Sequence, residues 1–160
     1  MCIYKCERVR KLPHENCLGC RLANKNEAIY MVYEDDYVTC FLDHDPFNEG
    51  HTLILPKQHF LDVDELDEET ANAIMRASIL ISKALKRLYD PDGITINQNG
   101  GVFNELTHYH MHVVPRYKGQ WFGEFYREEA VGEVDVRELE RVRGRMVKVI
   151  AEVMVSNELK

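Results

Sequence analysis

Between Thr107 and Arg116 the chain reads Thr-His-Tyr-His-Met-His-Val-Val-Pro-Arg, with a histidine at every second position. Successive side chains of a strand point to opposite faces. The alternation therefore predicts a strand with His108, His110 and His112 on one face and Tyr109, Met111 and Val113 on the other. At about 3.3 Å rise per residue, neighbouring imidazoles stand roughly 6.6 Å apart, which leaves room for a phosphate between two of them. Three readings are open: hydrogen-bonded histidines on a half-exposed strand, three ligands of one metal, or three histidines with separate tasks.

The rest of the chain supplies partners for that strand. Residues 28–33 read as a strand, 34–36 as a turn and 37–43 as a second strand, rich in β-branched and aromatic residues, so the two make a hairpin. Pro46, Asn48 and Gly50 mark a loop before a third strand at 51–56. From Asp67 the period changes. Asp67 caps a helix whose first turn carries Glu68 and Glu69, and Ile74, Ser78, Ile81, Leu85 and Leu88 make one face until Asp90-Pro91-Asp92-Gly93 stops it. A short strand at 94–97 and a Gly/Asn-rich loop at 98–104 precede the histidine strand. Residues 118–132 look irregular, with Trp121, Phe122, Phe125 and Tyr126 clustered. A last helix is expected over 136–155, where Asp135 and Glu138 have capping-box spacing and Leu139, Val142, Met146, Val149 and Val153 form a stripe.

This order predicts an α+β fold, an antiparallel sheet of about five strands with a central and a C-terminal helix. At 160 residues and 45% apolar content the chain fits one domain, with an arm at 1–16 interrupted by Pro13, a core at 17–118 and an extension at 119–160.

With 27 acidic against 20 basic residues the net charge is −7, which argues against nucleic acid as a partner and leaves any phosphate to be held by local groups. No apolar run approaches the roughly 18 residues of a membrane span, and the N-terminus alternates charged with apolar residues, so a cytoplasmic protein is expected. The five cysteines form no regular framework. Cys17-Leu18-Gly19-Cys20 reads as half a metal site or a redox pair and needs two ligands from elsewhere, whereas Cys2 and Cys6 read as ordinary thiols.

The run from His108 to Arg116 resembles the signature of the histidine triad (HIT) nucleotide hydrolases and transferases. Phe41-Leu42-Asp43, Pro46 and the stretch from Glu49 to His59 resemble that family's second signature, so the likeness runs from about Cys17 to Arg116. It implies the same α+β fold and a homodimer. It also implies a zinc ion held by Cys17, Cys20, His59 and His108, a closed Cys₂His₂ site of structural type.

For the chemistry, the resemblance implies that His110 attacks the α-phosphorus of a nucleotide to form a nucleotidyl-histidine. His112 would contact the phosphate or leaving group and serve in proton transfer, and His51 would orient the nucleophile. Asp43 would accept hydrogen bonds from the ribose hydroxyls, Asn97 would lie near the α-phosphate, and Phe41 with Leu53 would wall the base. The chain departs from the family pattern at Asn97-Gln98-Asn99-Gly100 and Val102-Phe103-Asn104. Asn104 stands where a longer glutamine, or a serine, usually meets the phosphate or leaving group. The implied substrate is a small-molecule nucleotide, either a dinucleoside polyphosphate or a nucleoside phosphoramidate. A nucleotidyltransferase using the same intermediate and a non-catalytic nucleotide-binding module are the alternatives.

Overall fold

Every residue of Val38–Leu42 is buried, as is every residue of Thr52–Pro56, so these two strands are covered on both faces. The computed structural model, which describes residues 16–121, 123 and 135–158, shows what covers them. Strands β1 (Met31–Glu34), β2 (Val38–Leu42), β3 (Thr52–Pro56), β4 (Gly93–Asn97) and β5 (Met111–Arg116) make one antiparallel sheet in the order β1-β2-β3-β5-β4. Helices α1 (Leu18–Ala23), α2 (Glu68–Tyr89) and α3 (Val136–Glu158) complete it. The fold is α+β, as the order of elements predicts.

The period of two in the strands sorts their side chains between two cores. Cys40, Leu42, Ile54, Tyr109 and Val113 pack with Ile74, Ile81 and Leu85 of α2 and with the α3 stripe Leu139, Val142, Met146, Val149 and Val153. Phe41, Leu53 and Leu55 point the other way, to Ala23 of α1, with Leu22, Ile29 and Leu106 at the margin. Each fully buried Leu or Ile contributes about 1.5–3 kcal/mol, so the larger core supplies most of the stability. The second, smaller core faces the candidate site.

The capping signals act as the sequence indicates. Asp67 Oδ1 accepts from the N–H of Thr70 at 2.8 Å, and Asp90 ends α2 in the left-handed conformation. Asp135 Oδ1 accepts from Arg137 N–H at 2.9 Å, but Glu138 pairs with Arg141 instead of closing a capping box.

Three elements differ from expectation. The Cys17–Cys20 stretch lies at the start of a helix of 6 residues, too short to show a period. β1 is Met31–Glu34, not 28–33, and its register with β2 shifts between Met31 and Tyr33. The histidine strand joins the ladder only at Met111. Continued register would set Tyr109 opposite Pro56, which has no N–H to give and whose carbonyl is taken by the His108 ring. The Tyr109 N–H goes instead to Phe60 O at 2.6 Å, and Thr107 turns the chain with φ 47°. Phe122, Phe125 and Tyr126, and the arm with Cys2, Cys6 and Pro13, lie outside the described residues; Trp121 is 78% exposed. Among the described residues no helix is long and apolar enough to cross a membrane.

Candidate active site and metal centre

Strand pairing sets up the site. Phe41 lies opposite Leu53, Leu53 opposite His112, and His112 opposite Asn97. Directly opposed residues share a face, so these four side chains form one row across β2, β3, β5 and β4, on the side of the sheet that carries α1. Asp43 and His51 stand at the end of β2 and β3, where Asp43 N–H donates to His51 O at 3.0 Å. Asp43 is 9% exposed, and burial raises its carboxyl pKa despite a hydrogen bond from Asp45 N–H.

Backbone partners assign the proton positions of the histidines. His110 Nδ1 lies 2.9 Å from the carbonyl of His108; an oxygen there can only accept, so Nδ1 carries a hydrogen, and in the neutral ring Nε2 carries the lone pair. Phe47 N–H donates to His51 Nδ1 at 3.2 Å, which puts the His51 hydrogen on Nε2. That Nε2 lies 2.9 Å from His112 Nδ1 and donates to it, so the His112 hydrogen is on its own Nε2. The rings of His110 and His112 are 5.0 Å apart, edge to face. Burial holds the His51 imidazole down to about 3 and that of His112 to about 4, with the neighbouring histidines adding to the effect. Both rings are neutral at pH 7, as the hydrogen-bond chain requires.

His108 faces α1. Its Nδ1 lies 3.7 Å from Cys17 Sγ and 3.5 Å from Cys20 Sγ, and His59 Nδ1 lies 3.2 Å from Cys20 Sγ. Tetrahedral zinc, with Zn–S about 2.3 Å and Zn–N about 2.0 Å, sets sulfur and nitrogen ligands about 3.5 Å apart. The four residues fit zinc. His108 Nε2–H donates to Pro56 O at 2.8 Å, which leaves Nδ1 as the ligand atom and fixes the ring plane. Burial lowers the His108 pKa to about 4, and the unprotonated ring is the form a metal needs. Asp43, His51 and His112 also lie within ligand distance of one another, but the hydrogen bonds just described already knit them together.

Two asparagines stand out by what they lack. Both side-chain polar atoms of Asn97, and Oδ1 of Asn104, are buried with no hydrogen-bond partner among the described residues. A buried amide left so costs about 1–3 kcal/mol, which makes Asn97 a candidate for contact with a ligand. Asn104 Nδ2 is already committed to Leu61 O at 2.8 Å, so the structure ties Asn104 to the 57–65 segment and not to the histidines. Asp62 holds the same loop by accepting from Gly101 N–H at 3.0 Å.

Several residues on which the site depends carry no signal in the sequence. Gly19 of α1 packs so closely on His108 that a Cβ there would stand 2.2 Å from His108 Cβ. Asn48 and Gln120 exchange two hydrogen bonds across 72 residues of chain. Glu49 accepts from Arg145 at 2.9 Å and from Tyr89, tying the loop before His51 to α2 and α3. A cavity of about 370 Å³ separates that loop from the first turns of α3, between Leu42, Pro46 and His51 on one side and Leu139 and Val142 on the other.

Comparison with known proteins agrees with the geometry. The HIT domain family model matches residues 24–119. The Protein hit of Bacillus subtilis (strain 168) is 38% identical over 119 residues, covering 72% of this chain and 82% of that protein. Among solved structures, a zinc-bound histidine triad family protein from Mycobacterium smegmatis superposes with TM-score 0.72 at 26% identity, over 88% of this chain and 97% of that one. A hypothetical histidine triad nucleotide-binding protein from Sulfolobus tokodaii strain 7 gives TM-score 0.73 at 28% identity, over 86% and 93%. The matched region holds every histidine of the row and the cluster, and leaves α3 and both cysteines outside it. On sequence, fold and likeness together, this chain is a member of the HIT family.

Proposed function

We propose that the protein is a nucleotide hydrolase acting at the α-phosphate through a covalent nucleotidyl-His110, on a dinucleoside polyphosphate or a nucleoside phosphoramidate. The observation that carries this reading is the 2.9 Å bond from His110 Nδ1–H to the His108 carbonyl, which leaves the Nε2 lone pair beside the neutral His112 ring. In the first step His110 Nε2 forms a bond to the α-phosphorus and the bond to the leaving group breaks. The positive charge that develops on His110 is stabilised at Nδ1–H by the His108 carbonyl. The oxygen or nitrogen departs with the electron pair of the broken bond, hydrogen-bonded by His112 Nε2–H, and takes up a proton from solvent. Water then attacks phosphorus, the N–P bond breaks, its electron pair returns to Nε2, and the water proton leaves to solvent.

The row across the sheet supports the binding roles. Phe41 and Leu53 wall the base, Asp43 accepts from the ribose hydroxyls, and Asn97 supplies its partnerless amide to the α-phosphate. Incubation with an adenosine phosphoramidate or a dinucleoside polyphosphate should release AMP. Tight nucleotide binding without AMP would establish a non-catalytic module instead, and transfer to an added acceptor in preference to water would establish a nucleotidyltransferase.

The zinc reading rests on the ligand spacing of Cys17, Cys20, His59 and His108. When bound, zinc is a closed structural tie between α1 and the residue whose carbonyl orients His110. Elemental analysis of protein purified without added metal should give one zinc per chain, with Cys17→Ser and His59→Ala losing it and losing stability more than intrinsic chemistry. Full zinc in both variants would overturn the assignment.

A homodimer is supported by β4, among the described residues an edge strand, whose Ile96 is 47% exposed and could pair with a second copy. Light scattering at micromolar concentration should report twice the chain mass; a monomer mass would sink the proposal. The chain is read as one domain, since α3, beyond the family match, shares the larger core. Among the described residues Cys17, Cys20 and Cys40 form no disulfide, which suits a cytoplasmic setting.

A further inference from the structure

We infer that Gln120, just past the end of the family match, is a positioning residue that sets the tautomer of His112 through Asn48, Phe47 and His51; this rests on the role of His112 proposed above. Gln120 and Asn48 lock together by two hydrogen bonds, Asn48 Nδ2–H to Gln120 Oε1 at 3.0 Å and Gln120 Nε2–H to Asn48 Oδ1 at 2.9 Å. Neither amide can be reversed. Asn48 Nδ2 also donates to Pro115 O at 2.7 Å, and Gln120 Oε1 also accepts from Tyr117 N–H at 3.0 Å. The pair therefore anchors the 44–50 loop to the end of β5, the strand that carries His112.

The anchor bears on Phe47 from two sides. Asn48 is its chain neighbour, and the Asn48 carbonyl accepts from His51 N–H at 3.0 Å to close the turn. Arg116, whose Nη2 donates to Gln120 O at 3.1 Å, lies over the Phe47 ring at 4.8 Å. Held so, the Phe47 N–H points at His51 Nδ1, His51 keeps its hydrogen on Nε2, and His112 accepts at Nδ1 and presents its hydrogen at Nε2. With the Phe47 donor lost, the Nδ1–H form of His51 becomes accessible, opposed by Asp43 Oδ2 at 3.6 Å from Nε2. His51 Nε2 would then accept from His112, and His112 would present a lone pair where the transition state needs a donor. The two rings flip together, so a contact that holds the Phe47 donor in place bears on the polarity of both.

Nitrogen-edited NMR of the histidine rings tests this in the free protein, with no turnover required. Wild type should show His51 and His112 each in the Nε2–H form. Gln120→Ala should show a second tautomer at both rings, and kcat should fall about tenfold to a hundredfold with KM little changed. Asn48→Ala should reproduce the Gln120→Ala spectrum, and the double variant should be no worse than either. If Gln120→Ala does not fold, Gln120→Met, of similar length and without the amide, carries the same expectation. Unchanged tautomers in the folded Ala or Met variant overturn the inference. Shifted tautomers in a protein whose wild type releases no AMP would uphold the relay and reject the hydrolase reading instead.

Discussion

Replacing His110 by alanine should lower turnover about 10³-fold or more, with the fold and the zinc content intact, because it removes the imidazole proposed as the nucleophile. Its neighbours are committed elsewhere. His108 gives Nδ1 to the cysteine cluster and Nε2–H to Pro56 O, and His112 takes the His51 hydrogen at Nδ1. His110 alone has a backbone carbonyl holding its Nδ1–H and a lone pair on the other nitrogen. His110→Gly with added imidazole should recover part of the lost rate, since the missing group is a small diffusible base. Rapid quench with labelled substrate should trap an acid-labile, base-stable adduct on wild type and none on the variant. Substantial turnover by His110→Ala would falsify the covalent mechanism.

The second large effect is expected at a residue with no side chain. In Gly19→Ala the new methyl would stand 2.2 Å from His108 Cβ and 2.5 Å from its Cγ, against the roughly 3.5–4.0 Å of carbon contacts. A Cβ cannot rotate away from such a clash, so α1 itself must move, carrying Cys17 and Cys20 away from His108. Overpacking of this kind costs about 1–3 kcal/mol or more, and metal affinity should fall with the ligand geometry. Urea unfolding should show a lower midpoint and a chelator should strip zinc faster. Gly144→Ala, on α3 with nothing within 4 Å of its Cβ, should instead raise stability by up to about 1 kcal/mol. Wild-type midpoint and zinc retention in Gly19→Ala would show that α1 is not held where the structure places it.

The contrast between these two residues shows what the sequence exposes. His110 stands in a pattern whose period is that of a strand, and Tyr109, Met111 and Val113 do turn to the α2 face. The apolar stripes of α2 and α3, and the cap at Asp67, are legible for the same reason: local geometry repeats, and composition follows it. Gly19 repeats nothing, and its constraint comes from a residue 89 positions away. Pro56 likewise ends the β3–β5 ladder through an absent N–H and a carbonyl lent to His108. Gln120 and Asn48 meet only because β5 and the 44–50 loop fold side by side. The family likeness supplies the roles expected of Asp43, Asn97, Phe41 and Leu53. It does not supply the commitment of the Asn104 amide to Leu61 O, which is a matter of this chain's own packing.

The row Phe41–Leu53–His112–Asn97 crosses three gaps between strands, and at about 4.8 Å per gap it spans roughly 14 Å. Such a row works as a ruler laid at right angles to the strands. On the proposed function, a free base would touch only its apolar end and a free phosphate only its polar end, so each fragment would bind with half of the available contacts. A ligand that joins the two through a sugar of the right length brings the second half in as an intramolecular event, at a high effective concentration. On that reading the sheet would measure the linkage between base and phosphate before any bond is broken.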